Sequence, residues 1–295
     1  NVGRVYSSLK LIKKNPNFFL KIKHAIASKL IYSKVKARFG GNIKFFVSGG
    51  APLSKELAEF FAAVDITILE GYGLTETSPV LTVNNPTDLK FGCVGKPLFN
   101  VDIKIADDGE ILAKGPNIMT GYYNNEEATN EVFDEKGWFK TGDIGHIDED
   151  GFLKITDRKK SLIVTSGGKN IAPAPIEVKL TSSPYIEQIH IVGDKRNFLT
   201  ALIVPNFDSV INYLKEKGNN LSDFNAIVEH PDVIDLFNKE IEKSMVDFAK
   251  FEQVKKFTLI SNPFSIDKGE MTPKMSIVRK VVEANYSELI NSMYN

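Results

Sequence analysis

The sequence has little of several residue types that mark particular classes of protein. Cys93 is the only cysteine in 295 residues, and the four histidines are widely separated. An intrachain disulfide and a cysteine-cluster metal site are therefore excluded, and a reducing compartment is indicated. No uninterrupted apolar run approaches the roughly 18 residues that a membrane-spanning helix needs. These absences predict a cytoplasmic protein that does not cross a bilayer, and peripheral contact with the inner face of a membrane stays open.

Acidic residues are absent from the first 41 residues. That stretch contains ten basic residues, so the rest of the chain has 27 basic against 37 acidic residues. The ten are Arg4, Lys10, Lys13, Lys14, Lys21, Lys23, Lys29, Lys34, Lys36 and Arg38. Apolar residues at Phe19, Ile22, Ile26 and Leu30 form one stripe along a predicted helix. The first interpretation is a solvated helix, and the second is a helix that binds an anionic membrane surface. Nucleic-acid binding is disfavoured, because the segment has no interleaved aromatic residues and no recognition module.

The overall composition is that of a folded globular protein. Hydrophobic residues make up 42% and charged residues 25%, and 37 basic residues balance 37 acidic ones. At roughly 100 to 200 residues per domain, the length accommodates about two domains. The first residue is Asn1 rather than methionine, so we expect either processing or a piece of a longer protein.

Short apolar runs that end in glycine dominate the region after residue 42. Residues 43–47 precede Ser48-Gly49-Gly50, and residues 66–69 precede Gly71-Tyr72-Gly73. A helical pattern over 53–64 lies between them. This order predicts an α/β arrangement with a ligand crevice at the carboxyl ends of the strands.

Residues 86–156 have a different pattern, typical of β-hairpins. Strand-like segments at 101–105, 110–113 and 152–156 are joined by turns that contain Asp and Gly. The turn at 148–151 lacks the ligand ladder of a calcium loop, so calcium is disfavoured. A charged stretch at Asp157 follows, and we place the domain boundary there, giving domains over 1–156 and 157–295.

The segment Gly71-Tyr72-Gly73-Leu74-Thr75-Glu76 combines groups suited to a nucleotide. Small residues permit close backbone approach, the tyrosine offers an aromatic face, and Thr75 and Glu76 offer a hydroxyl and a metal-binding carboxylate. A purely structural turn is an equally good interpretation of this segment alone.

Four further motifs accompany that segment in order along the chain. They are Ser48-Gly49-Gly50-Ala51-Pro52, Gly137-Trp138-Phe139-Lys140-Thr141-Gly142-Asp143, Asp157-Arg158-Lys159-Lys160 and Ser166-Gly167-Gly168-Lys169-Asn170-Ile171. With them the sequence resembles the adenylate-forming (AMP-binding) acyl-CoA synthetases, and residues 164–173 and 206–260 are similar to the long-chain fatty acid branch. The resemblance implies the second part of a large α/β domain with a small β-barrel-like subdomain, then a small, mobile α+β domain that turns about a hinge near Asp157.

The resemblance also implies a role for individual residues. ATP or AMP, Mg²⁺ and coenzyme A would be the ligands, with a fatty acid as the substrate. Gly50 and Ala51 would line the adenine, and Tyr72 would stack on it. Thr75 would contact the α-phosphate, Glu76 would hold Mg²⁺, Asp143 would accept hydrogen bonds from the ribose hydroxyls, and Arg158 would contact ribose or phosphate. The passage for the pantetheine arm would be shaped by Gly168, Lys169 and Asn170.

Two departures from the family pattern matter. The family's first phosphate-binding loop is not found here, so we expect it upstream, in a missing amino-terminal half, and expect the isolated chain to be weak or inactive. The strands near Ile43 and Ile66 should then have unpaired edges. The family's catalytic lysine lies three residues before an arginine, which is Arg279 here, but that position is Ser276. Lys274, two residues earlier on a predicted extended segment, is our candidate instead.

Two other functions stay open. The missing loop and the displaced lysine are compatible with a nucleotide- or CoA-binding module without catalysis. An enzyme that transfers the activated acyl group to a carrier protein is the second alternative.

Overall fold

The structure is a computed structural model that describes residues 2–11 and 14–295. Lys13 of the basic segment lies outside the described residues. The chain divides into two compact units, Asn1–Lys160 and Ser161–Asn295, called unit 1 and unit 2 below. This division follows Lys160, so the charged stretch that begins at Asp157 belongs to unit 1.

Unit 1 begins with helices that carry the basic segment. Its helices are α1 Val2–Leu11, α2 Phe18–Ala27, α3 Ser33–Arg38, α4 Lys55–Ala63 and α5 Glu126–Val132, with a π-helical turn at Ser28–Tyr32 between α2 and α3. Asn17 begins α2, because its side chain accepts a hydrogen bond from the Leu20 N–H at 2.8 Å. The predicted apolar stripe lies on α2 and the π-helical turn, and its residues are exposed, Phe19 by 75%.

Two four-stranded sheets form the rest of unit 1. Their strands are β1 Phe45–Ser48, β2 Thr67–Gly73, β3 Val80–Val83, β4 Lys96–Pro97, β5 Asp102–Ile105, β6 Glu110–Lys114, β7 Phe139–Ile147 and β8 Leu153–Arg158. The first sheet has the order β1-β2-β3-β4, and the second has the order β5-β6-β7-β8. Backbone bonds from Val94 to Leu153 and from Leu153 to Gly95 join the two sheets.

Strand β2 changes its neighbour along its length. Thr67–Glu70 pairs with β1 in parallel, and Gly71–Gly73 pairs with β3 in antiparallel. The expected unpaired edge is present at β1, whose Phe45 and Val47 are exposed. Among the described strands, Thr67–Glu70 of β2 likewise pairs with β1 alone. The predicted glycine turn at residues 71–73 is wrong, since these residues continue the strand.

Unit 2 is built on a three-stranded sheet packed by helices. Its elements are β9 Ile163–Val164, β10 Asn170–Ile171, α6 Pro173–Leu180, β11 Ile186–Val192, β12 Leu199–Pro205, α7 Phe207–Glu216, α8 Phe224–Glu229, α9 Pro231–Ser244, β13 Val254–Leu259, α10 Arg279–Asn285 and α11 Ser287–Ser292. The sheet order is β11-β12-β13, and every residue of β12 is buried. The sequence pattern over 277–293 predicts one carboxyl-terminal helix, and this prediction is wrong, because two helices meet at Tyr286.

None of the described helices combines the length and the apolar content that crossing a bilayer requires.

Candidate active site

Three strands of unit 1 bring an aromatic ring, a carboxylate and a guanidinium together. The Tyr72 hydroxyl on β2 donates a hydrogen bond to Asp143 Oδ2 at 2.7 Å. Asp143 on β7 lies opposite Arg158 on β8, and Arg158 Nε is 3.2 Å from Asp143 Oδ1. Tyr72 is 71 residues from Asp143 along the chain, and Arg158 is 15 residues from it. Pairing of β7 with β8 brings Arg158 to Asp143, whereas the Tyr72 hydrogen bond joins the first sheet to the second. We call these three residues the nucleotide cluster.

Burial sets the electrostatics of the nucleotide cluster. Asp143 is only 4% exposed, and burial raises its pKa although Tyr72 and Arg158 lower it. Burial, and next the charge of Asp143, also raises the pKa of the Tyr72 hydroxyl, so this hydroxyl stays a donor. A carboxylate offers about four acceptor positions, so Asp143 retains capacity for ribose hydroxyls after these two contacts.

The turn after β2 presents its polar groups outward around a buried anchor. Thr77, which is fully buried, accepts from the Leu74 N–H at 2.9 Å and donates to the Pro79 carbonyl at 2.6 Å. Thr75 is exposed and Glu76 is partly exposed, as a phosphate or metal contact requires. Sequence reasoning missed the structural role of Thr77. The available signal was its hydroxyl group, two positions after Thr75 in the same segment.

A divalent metal fits this turn if the phosphates of the nucleotide supply some of its ligands. Among the described residues, no group of three or more His, Cys, Asp or Glu side chains could hold a metal by itself. Mg²⁺ usually keeps several waters and binds one or two carboxylates together with substrate phosphates, so the single carboxylate of Glu76 is sufficient. Its Oε1 accepts a hydrogen bond from the Tyr122 hydroxyl at 3.0 Å.

The turn after β1 lies against β2, at the edge where the sequence predicts the ligand crevice. Ser48 is in register with Glu70, and a Cβ added to Gly49 would lie 3.4 Å from the Gly71 carbonyl. Gly50 has a φ of +81°, and both it and Ala51 are exposed. Their predicted role at the adenine stays a prediction.

In unit 2, the predicted CoA-passage residues lie on one exposed hairpin. β9 and β10 pair in antiparallel, and Gly168 between them has a φ of +74°. Gly168, Lys169 and Asn170 are all exposed. The Lys169 ammonium lies 5.7 Å from the centre of the Phe251 ring.

Lys274 lies on an exposed tight turn, so the predicted extended segment is wrong. The Thr272 N–H donates to the Ser276 carbonyl at 2.8 Å, and Met275 has a left-handed φ of +61°. Lys274 and Ser276 are both exposed at this turn. The catalytic assignment of Lys274 stays a prediction, and so do the roles of the other site residues.

A buried carboxylate, Glu270, and a partly exposed one, Glu177, anchor the two ends of that turn. Glu270, 1% exposed, accepts from the Ser265 N–H and from the Asn285 amide. Arg279 donates to Glu177 Oε1 at 2.6 Å and to the Ile191 carbonyl at 3.1 Å. Sequence reasoning missed Glu270 and Glu177, because only the fold brings their partners together.

A cavity of about 500 Å³ lies elsewhere in unit 1, between α1, α2 and the start of β2. Its wall includes Tyr6, His24 and Asp65, with His24 Nε2 3.1 Å from Asp65 Oδ1, and none of the predicted site residues.

Comparison with known families identifies two matching domains. The sequence model described as AMP-binding enzyme matches residues 9–123, and the one described as AMP-binding enzyme C-terminal domain matches residues 160–295.

Individual proteins are similar along nearly the whole chain. The long-chain-fatty-acid–CoA ligase FadD15 of Mycobacterium tuberculosis is 42% identical over 284 residues, which cover 95% of this chain and 47% of that protein. The chloroplastic long-chain-fatty-acid–[acyl-carrier-protein] ligase AEE15 of Arabidopsis thaliana is 34% identical over 304 residues, covering 92% of this chain and 38% of that protein. The chain therefore spans about half the length, or less, of these relatives.

A solved structure supports the fold. The A domain of carboxylic acid reductase from Segniliparus rugosus, in complex with AMP and a carboxylic acid, superposes with a TM-score of 0.71 and 23% identity. The match covers 99% of this chain and 45% of that one. The predicted fold class, α/β layers followed by a small α+β part, is confirmed at the level of the fold.

Proposed function

The chain belongs to the AMP-binding enzyme family, and from this premise we propose that it works as part of an ATP-dependent long-chain fatty acid CoA ligase. In that reaction the fatty acid carboxylate attacks the α-phosphorus of ATP and releases pyrophosphate, and the CoA thiol then displaces AMP from the acyl-AMP. The nucleotide cluster carries the proposal, because it places the nearly buried carboxylate of Asp143 beside the ring of Tyr72. Tyr72 in turn lies four residues before Glu76 in the chain.

In the proposed reaction the residues of unit 1 bind and orient the nucleotide. Asp143 accepts the ribose hydroxyls, Tyr72 and Arg158 fix the Asp143 carboxylate, and Thr75 donates to the α-phosphate. Glu76 would hold Mg²⁺, and the ion would supply positive charge beside the phosphates. Orienting the α-phosphate toward the attacking carboxylate lowers the entropic part of the barrier.

Unit 2 would serve the second half of the proposed reaction. Gly168 lacks a side chain and Lys169 carries a positive charge, so this hairpin suits the pantetheine arm and the phosphates of CoA. Lys274 supplies a positive charge on the turn that Glu270 and Arg279 hold. A change in the orientation of unit 2 about Asp157 would exchange these groups between the two half-reactions.

The proposal is tested by ATP–pyrophosphate exchange with palmitate. We expect strong exchange from a form extended upstream and weak exchange from the 295-residue chain alone. In the extended form, Asp143→Asn should lower exchange roughly a hundredfold, as expected for lost hydrogen bonds to a charged group. Asp102→Asn, at an exposed position on β5, is the matched control. Equal losses in both variants would argue against an active-site role for Asp143.

Transfer to a carrier protein is the second candidate. The relative AEE15, at 34% identity, is named as an acyl-carrier-protein ligase. Supplying CoA or a phosphopantetheinylated carrier protein as the acceptor distinguishes the two functions. Faster transfer to the carrier would replace the CoA ligase proposal.

A module that binds AMP or CoA without catalysis is the third candidate. Ser276 stands where the family has its catalytic lysine, which favours this function. Calorimetric titration with AMP and with CoA would support it if the extended form binds both but shows no turnover.

We also propose that the basic face of α2 contacts anionic membrane surfaces. Phe18, Phe19 and Ile22 are exposed on this helix together with Lys21 and Lys23. Sedimentation with phosphatidylglycerol vesicles, but not with phosphatidylcholine vesicles, is expected. Binding by the chain alone that disappears in the extended form would show instead that upstream residues cover this face.

A further inference from the structure

The segment 117–122 contacts the turn that carries Glu76 at three points. Asn117 Nδ2 donates to the Thr77 carbonyl at 2.8 Å and to the Val80 carbonyl at 2.9 Å. The Met119 N–H donates to the Glu76 carbonyl at 2.8 Å. These bonds fix the backbone of the turn, whereas the third contact, from Tyr122, reaches the Glu76 side chain itself.

The backbone of Tyr122 is hydrogen-bonded to residues at the start of α5. Its N–H donates to Thr129 Oγ1 at 2.9 Å, and the Thr129 hydroxyl donates to the Asn125 carbonyl at 2.8 Å, which is the first turn of α5. Tyr122 is 37% exposed, whereas its neighbour Tyr123 is 94% exposed. The backbone of Tyr122 is therefore held by α5 through a contact that does not involve Glu76.

We propose that Tyr122 is a positioning residue for the metal carboxylate of Glu76. Its hydroxyl donates to Oε1, and in the part of the chain that the structure describes no group donates to Oε2. One carboxylate oxygen is thus fixed and the other is left for the metal. This inference rests on the proposed function, in which Glu76 holds Mg²⁺.

The physical basis is the orientation of a metal ligand by a hydrogen bond behind it. A bond to a charged acceptor is stronger than one between neutral groups, and removing the group that orients a metal ligand commonly lowers metal affinity 10- to 100-fold.

The test compares Tyr122→Phe with Tyr123→Phe in the upstream-extended form. The first removes one hydroxyl that bonds Glu76, and the second removes one at an adjacent, fully accessible position. We expect Tyr122→Phe to raise the Mg²⁺ concentration for half-maximal pyrophosphate exchange roughly tenfold, and Tyr123→Phe to leave it unchanged. Both variants should keep the thermal midpoint of the wild type, because the ring is retained.

A second measurement does not depend on turnover. Electron paramagnetic resonance of Mn²⁺ in the presence of ATP gives the affinity of the bound metal, which Tyr122→Phe should weaken by a similar factor. In a Glu76→Gln background, adding Tyr122→Phe should change nothing further.

The two outcomes that overturn the inference are an unchanged metal affinity in Tyr122→Phe and an equal loss in the Glu76→Gln background. A wild type that binds Mn²⁺ and ATP but never exchanges pyrophosphate would refute the proposed function alone. In that case the Mn²⁺ comparison still decides the role of Tyr122.

Discussion

Replacing Glu70 by glutamine is expected to remove a pH dependence from the stability of unit 1. Glu70 lies on β2, is 7% exposed, and has a pKa raised from 4.5 to about 7. Burial is the cause, and a backbone hydrogen bond from Gly92 opposes it only in part. Folding therefore favours the protonated carboxyl.

The sign and size follow from linkage. Because the folded pKa lies above the unfolded one, the contribution of Glu70 is fully present below about pH 4.5 and is lost as the pH rises through about 7. The two values differ by about 2.5, which at about 1.4 kcal/mol per tenfold change corresponds to about 3 kcal/mol. Glutamine keeps the shape and the acceptor for Gly92 but does not ionise. The stability advantage of Glu70→Gln should thus grow by about 2 kcal/mol between about pH 5 and pH 8.

Urea unfolding followed by tryptophan fluorescence measures this difference. Trp138 is the only tryptophan and lies in unit 1, so its signal reports on the unit that contains Glu70. Glu149→Gln, at an exposed turn position, is the control and should show a difference from wild type that does not vary with pH. A constant difference for Glu70→Gln, or a variant less stable than wild type at pH 8, would refute the reasoning.

Three further changes test the packing and charges of unit 1. Gly95→Ala should destabilise unit 1 by about 3 kcal/mol or more in urea unfolding, because φ is +87° and the added Cβ would overlap the backbone of β3. Lys159→Met should raise the pKa of Asp108, now held low by the Lys159 ammonium at 2.6 Å, in an NMR titration; an unchanged pKa would contradict this contact. Tyr72→Phe should raise the pKa of Asp143 further and cost about 1 to 3 kcal/mol, because a buried carboxylate loses a donor; equal stability would show that water replaces the hydroxyl.

Hydrophobic periodicity in the sequence predicted the presence of helices better than it predicted which helix faces are buried. The stripe that includes Phe19 and Ile26 does lie on a helix, but both side chains are exposed. Spacing fixes which residues share a face and carries no information on what covers that face. The helical pattern near Tyr286 was likewise continuous, although two short helices meet there.

Strand β7 contains part of the motif at residues 137–143, and the sequence pattern did not predict a strand there. Its burial alternates strictly from Phe139 to Gly145, which is the period of a strand. Gly142, with a φ of +72°, interrupts the apolar pattern in the sequence. Asp143 was found through its motif. Arg158 becomes its neighbour through pairing of β7 with β8, and Tyr72 through packing of the first sheet against the second, neither of which a local pattern encodes.

The turn with Lys274 shows the limit of reasoning from spacing. Counting residues placed Lys274 and Ser276 on one side of an extended strand, but Thr272 closes a tight turn onto Ser276. Met275 takes the left-handed conformation there, which residues other than glycine rarely adopt, so no sequence pattern predicts this turn.

The change of neighbour along β2 separates the exposed edge of unit 1 from its nucleotide cluster. Opening of β1 breaks hydrogen bonds only to Thr67–Glu70, and the bonds of Gly71–Gly73 to β3 remain. Local opening proceeds in contiguous cooperative segments, so the amides on either side of Gly71 can exchange with solvent at different rates. Fluctuation of the edge strand therefore leaves the Tyr72–Asp143 contact in place, and amide exchange in β1 and around Tyr72 should report two independent events.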